Sequence, residues 1–248
     1  MREQLLPVGD GFWNIRGSFK LGGVIQIGTQ ASLAQLDDGR FVLLDAYTLP
    51  APILSEVRAL TSGGRDIDAI INLHPFHTIH VERAHEQFPS ARLLGSARHV
   101  HKASHLPWQD MRTDDDAMNE AFPGLAFSVP RGVDFISDDP NVHFSSVLAY
   151  HARSKTIHVD DTFNHLKLPV VGGLAFHPTL KQALEKRPGA ADDFSRWAED
   201  IATRWGGAQN ICAAHNSVLL GIRDCGDRIR AAHRKVQRTL RAHRRAHG

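Results

Sequence analysis

The chain is poor in cysteine. Only Cys212 and Cys225 occur among its 248 residues, too few for a disulfide framework or a Cys-x-x-Cys zinc module. That scarcity fits a reducing compartment. The opening stretch, MREQLLPVGDGFW, has no apolar run suited to a secretory signal. No segment approaches the ~20 apolar residues of a spanning helix. A large excess of either charge is also missing, because 29 Lys and Arg against 27 Asp and Glu leave a formal +2. Bulk charge therefore names no partner. The expectation is a soluble, cytoplasmic protein with no contact with membrane. Oligomeric state is not legible. The hydrophobic share of 42% and charged share of 23% suit a globular chain, and this length can bury a sizeable core unaided.

What the chain does have is histidine, 16 in all. Histidine is the commonest metal ligand and the usual acid or base near neutral pH, so the question is which of them cluster with other ligand types.

The pattern along the chain is layered. Val24 to Gly28, Ala31 to Leu36 and Phe41 to Leu44 are short runs rich in strand formers, and Asp37-Asp38-Gly39 is a hairpin turn signal. Pro52 to Leu60 has helical spacing. Asp68 to Leu73 reads as a buried strand, Val81 to Gln87 as a helix and Ala91 to Leu94 as a strand. Residues 104–124 read as loop. Strands return at Ala126 to Val129, Ser145 to Tyr150 and Thr156 to Val159, and Pro169 to Pro178 reads as glycine-bearing loop. Ala191 to Trp205 is an amphipathic helix with Phe194, Trp197, Ile201 and Trp205 on one face. Asn210 to Ala214 is a buried strand. A single α/β domain covering residues 1–248 is the economical reading.

Four places carry chemistry. His74, His77 and His80 follow a buried strand, where side chains project into the crevice at the strand's C-terminal end. Three imidazoles there can converge on zinc or iron, or can divide between solvent and packing. His158-Val159-Asp160-Asp161-Thr162 ends another strand. Asp161 there serves either as a ligand or as a cap for backbone N–H groups. His143 precedes a strand and His215 follows one; each alone fits a structural role as well as a ligand role.

In chain order, Asp45, the run His74 to His80, His143, Asp161 in Asp-Asp-Thr, and His215 resemble the ligand series of the metallo-β-lactamase superfamily. That family has a strand-end Asp, a His-x-His-x-Asp-His motif, a later His, an Asp in Gly-Asp-Thr and a final His. Thr29 to Leu36 followed by Phe41 to Asp45 is similar to the family's opening hairpins. The resemblance implies a four-layer αββα sandwich. It also implies a metal-dependent hydrolase of a small ester, lactone or thioester, with Asp161 and Asp45 as catalytic residues. The metal ligands it implies are His74, His77, His80, His143, Asp161 and His215, with the choice among the first three open. Their spacing is wider than the family motif, and Thr78 stands where that motif has acid. The implied cofactor is accordingly one or two zinc ions, with iron, or no metal in a silent or binding member, as the alternatives.

The segment 223–248 reads as a basic C-terminal helix with nine Lys and Arg against Asp224 and Asp227. Its thin apolar stripe of Ile229, Ala232, Val236 and Leu240 suits a docked, solvated helix better than a nucleic-acid contact. No aromatic is interleaved for base stacking.

Overall fold

The computed structural model describes residues 3–18, 20–21, 25–26, 28–166, 173–213 and 217–248. The first half runs β1 (Gln4–Gly9), β2 (Phe12–Gly17), β3 (Lys20–Leu21), β4 (Ile25–Gln26), β5 (Thr29–Gln35), β6 (Phe41–Leu44), α1 (Ala51–Leu60), β7 (Ile67–Ile71), α2 (Val81–Gln87), β8 (Arg92–Gly95), α3 (Ala97–Lys102) and β9 (Trp108–Arg112). The second half runs α4 (Met118–Ala121), β10 (Leu125–Ser128), β11 (Leu148–His151), β12 (Thr156–His158), β13 (Phe163–Leu166), β14 (Gly173–Phe176), α5 (Leu180–Ala183), α6 (Ala190–Arg204), β15 (Asn210–Ala213), β16 (Ser217–Leu219) and α7 (Cys225–His247).

Two sheets form the middle of the molecule, ordered β1-β2-β5-β6-β7-β8-β9 and β10-β11-β12-β15-β16. Period-2 alternation builds the layers. In β6, Val42 and Leu44 face the second sheet, while Phe41 and Leu43 face the outer helices. The inner layer joins Phe12, Leu44, Ile71 and Leu94 to Leu125, Phe127, Ala149 and Cys212. One outer layer packs Ile53 and Val57 of α1 and Val81 and Ala84 of α2 on the first sheet. The other packs Phe194, Trp197 and Ile201 of α6 with Ile229 and Leu240 of α7 on the second. The αββα layering expected from the sequence is therefore present.

The inner face of β2 and β5 changes character along its length. Phe12 and Ala34 are apolar core at one end. Asn14, Arg16, Gln30 and Ser32 are buried and polar at the other. Buried polar groups are stable only when hydrogen-bonded, and these bond to one another: the Asn14 amide donates to Gln30 Oε1 at 3.1 Å and to Ser32 Oγ at 3.0 Å, and Arg16 donates to Gln30 Oε1 at 3.0 Å. This polar end faces the site.

Two expectations are corrected. Residues 104–124 are not all loop: they contain β9 and α4. Among the described residues β9 is an edge strand paired with β8, and its half-buried Trp-Gln-Asp-Met-Arg sequence lacks the apolar pattern of an interior strand. Pro169 to Pro178 is likewise not all loop, because β14 pairs with β13 there. Leu174 and Phe176 alternate into the outer core, a signal hidden by the neighbouring glycines. α7 packs its apolar stripe inward and ties Arg230 to Glu199 and Arg244 to Asp192 of α6.

Candidate metal centre

Parallel neighbours place the site. β6 and β7 run parallel in one sheet, and β12 and β15 run parallel in the other. Their C-terminal ends meet at one edge of the sandwich, the position where α/β sheets bind ligands.

Asp45 follows β6 directly. Its φ of 63° is in the left-handed region, which Asp tolerates better than most residues. That turn aims its carboxylate at the end of β7. Oδ1 accepts the backbone N–H groups of Leu73 at 2.7 Å and His74 at 3.3 Å. Oδ2 lies 2.9 Å from His158 Nε2, and His158 Nδ1 lies 2.9 Å from Ser32 Oγ. Burial, followed by the neighbouring Asp160 charge, raises the Asp45 pKa.

His74 and His77 stack at 4.0 Å between ring centroids, 17° from parallel. Asp161 Oδ2 lies 3.2 Å from His74 Nε2 and 3.7 Å from His77 Nε2. These three donor atoms converge. Donors of a tetrahedral zinc site at ~2.1 Å from the ion are about 3.4 Å apart, so both spacings fit one ion. Two imidazoles and one carboxylate with a position left for water form a familiar catalytic zinc set, and also suit non-haem iron.

The supporting contacts differ for the two rings. His77 Nδ1 lies 2.9 Å from Asp160 Oδ2. That bond fixes the Nδ1–H tautomer and turns Nε2 toward Asp161, the carboxylate-histidine pairing that orients metal ligands. Burial disfavours a charged His77, but Asp160 and then Asp161 outweigh it and hold its pKa well above the ordinary value. Burial also acts to raise Asp160, but His77 outweighs it and the carboxyl is held below its usual range. His74 Nδ1 accepts the Phe76 backbone N–H at 3.1 Å, so its ring proton is on Nε2, facing Asp161. Metal loading must displace that proton, and metal and acid compete for these side chains.

A second convergence joins Asp45, His158 and Asp160. All three are fully buried. Gln30 Nε2 lies 3.3 Å from Asp160 Oδ1, and the remaining carboxylate oxygens already bond to His77, His158 and the Leu73 and His74 backbone. This group is the hydrogen-bonded support beneath the first.

Of the residues singled out in the sequence, the structure brings together His74, His77 and Asp161, with Asp45 behind them. His80 lies apart, beside Thr48 Oγ1 at 2.9 Å and edge-on to Tyr47. His143 borders the group without entering it: its ring stacks on Phe76 at 4.8 Å and its Nε2 faces the Pro140 carbonyl. His215 lies outside the described residues. His158 and Asp160, named in the sequence only as neighbours of Asp161 in the strand-end motif, join the site as well. The sequence reading missed Asn14, Arg16, Gln30 and Ser32. Their signal was polar residues at inward positions of strands whose other inward residues are apolar.

No protein-family model and no curated protein matches the sequence. Solved structures do. The DIM-1 metallo-β-lactamase exposed to ceftazidime is similar with a TM-score of 0.63 and 12% identity, over 96% of this chain and 99% of that one. A metallo-β-lactamase from Erythrobacter litoralis, with β-mercaptoethanol in its active site, gives 0.63 and 11% over 93% and 96%. FIM-1 from Pseudomonas aeruginosa in its mono-zinc form gives 0.61 and 10% over 95% and 96%. The chain has the metallo-β-lactamase fold. No helix among the described residues is long and apolar enough to cross a membrane.

Proposed function

We propose that the protein is a metal-dependent hydrolase of a small-molecule ester, lactone or thioester. The observation that carries this reading is the convergence of His74 Nε2, His77 Nε2 and Asp161 Oδ2 at the C-terminal edge of both sheets. His74, His77 and Asp161 would hold the ion, and zinc bound there would supply Lewis-acid activation of water and of the scissile carbonyl. Asp160 keeps the proton on His77 Nδ1, and Asp45 pins the backbone that carries His74. In this assignment Asp45 is a positioning residue and Asp161 touches the reacting centre.

The test is metal analysis of untagged protein, wild type against His74→Ala and Asp161→Ala. Near-stoichiometric zinc in the wild type, lost in both variants, with chelator-sensitive turnover of one substrate class in an ester, lactone and thioester panel, is the expected result. Substoichiometric metal that neither substitution alters overturns it. The two-imidazole, one-carboxylate set favours iron redox chemistry as a second reading. Iron retained after anaerobic purification, with no hydrolysis in the panel, selects that reading. Stoichiometric zinc without turnover selects a non-hydrolytic binding role.

A further inference from the structure

Arg98 stands out among the groups bordering the metal centre. It is the second residue of α3, which begins just beyond β8, and β8 is the parallel neighbour of β7. The chain after β7 carries His74, so both residues belong to the same edge of the sheet. The guanidinium carbon of Arg98 lies 4.3 Å from the centre of the Phe76 ring. Phe76 stacks on His143 at 4.8 Å, and both rings lie 6.1 Å from His74. The cation is thus fixed on the aromatic wall beside the candidate metal site.

Among the described residues this guanidinium has no counter-ion: no carboxylate pairs with Arg98, and its Nε–H is buried without an acceptor. Arg92, six residues earlier at the start of β8, shows the contrast, pairing with Asp68. A buried donor on a permanent cation is costly to leave unmet, and such a group calls for an explanation. Arginine's planar fork of donors matches the oxyanions of carboxylates and phosphates. Stacking on Phe76 holds that fork in place before any ligand arrives.

We infer that Arg98 is an anion-binding residue and that the substrate carries a carboxylate or phosphate group, which Arg98 holds while the reacting carbonyl lies at the metal. The substrate part of this inference rests on the hydrolase reading; the anion site does not. The test uses wild type, Arg98→Gln and Arg98→Lys, each with and without one equivalent of zinc. Inorganic phosphate and succinate are the probes, titrated calorimetrically, and zinc affinity is measured in parallel. At least one probe is expected to bind wild type tenfold or more tightly than Arg98→Gln, with Arg98→Lys between them. Zinc affinity is expected to be equal in all three. Preference for succinate marks a carboxylate substrate, and preference for phosphate marks a phosphorylated one. Equal affinity of wild type and Arg98→Gln for both probes overturns the inference, whether or not zinc binds. Arg98-dependent probe binding in a protein that takes up no metal overturns the hydrolase reading and leaves the anion site standing.

Discussion

At the scale of single residues, the candidate site depends on the partners behind the ligands as well as on the ligands themselves. Asp160 illustrates this: it touches no reacting atom, yet it fixes the His77 tautomer at 2.9 Å. Loss of such a partner typically lowers metal affinity 10–100-fold. Asp160→Ala is therefore expected to weaken zinc binding by about that factor, read by competition with a chromophoric chelator. Asp160→Asn retains an acceptor without the charge and falls between. Unchanged affinity in Asp160→Ala contradicts the assignment. His99 gives a prediction of a different kind. Its Nδ1 accepts the Ser96 N–H at 3.2 Å, closing a capping box at the start of α3. Burial lowers its pKa from 6.5 to about 3. The folded value lies below the unfolded one, so the unfolded chain takes up the proton first as pH falls. The stability this neutral ring supports is present above pH 6.5 and is lost as pH falls through that window toward about 3. The loss is at most about 1.4 kcal/mol per pH unit. His99→Gln keeps the acceptor and removes the titration, so its unfolding free energy in urea should fall less steeply over that range. Parallel slopes for both proteins count against this account.

The candidate ligands were the legible part of this scale. His74, His77 and Asp161 announce themselves because each follows an apolar strand. His80 carries the same residue type in the same run, but its neighbours Thr48 and Tyr47 are brought to it only by the tertiary fold. Asp160 was hidden by its partner. In sequence it is one of two adjacent acids, and only the position of His77 on another sheet separates their roles.

At the scale of elements, apolar strands were readable, the edge strand β10 included, and the polar edge strand β9 was not. β6 and most of β7 are short apolar runs because both their faces are covered. β9 is half-buried and sets Trp108 and Met111 among polar residues, so it lacks a clear alternating strand pattern. α7 combined a readable apolar stripe with charges that only the structure assigns, since Arg230 and Arg244 pair with α6 while Ile229 and Leu240 pack beneath. Close approaches between elements were also invisible. Gly132 has a φ of +71°, and a Cβ there would lie 2.0 Å from the Ala190 carbonyl oxygen at the start of α6. Gly39, in the β5–β6 turn, has a φ of +88° but open space around it. Gly39→Ala therefore bears only the backbone strain, about 1–2 kcal/mol. Gly132→Ala adds a forced displacement of α6, a further ~1–3 kcal/mol. Chemical unfolding of the two variants should rank Gly132→Ala as clearly less stable, and equal losses would show that α6 moves aside freely.

At the scale of the whole molecule, the candidate centre lies across the seam of the sandwich. His74 and His77 come from the first sheet and Asp161 from the second, and the polar ends of β2 and β5 bridge the same seam through Gln30, which donates to the Val159 carbonyl at 2.8 Å. An ion held by both sheets binds the folded state and not the separated one, so its binding free energy adds to global stability. Free zinc at a hundredfold excess over its Kd stabilises by ~2.7 kcal/mol. For a chain of this size each kcal/mol shifts Tm by roughly 2–4 °C, so wild type should gain about 5–11 °C in thermal scans with zinc. His74→Ala and Asp161→Ala each remove one side of the bridge and should show little of that gain. Asp161→Ala carries the sharper consequence. It leaves both imidazoles in place on the first sheet, where they can still hold zinc weakly, but the ion then contacts one sheet only. A full stabilisation in Asp161→Ala would mean that zinc acts within the first sheet and that the seam is held by the apolar inner layer and its hydrogen bonds without the ion.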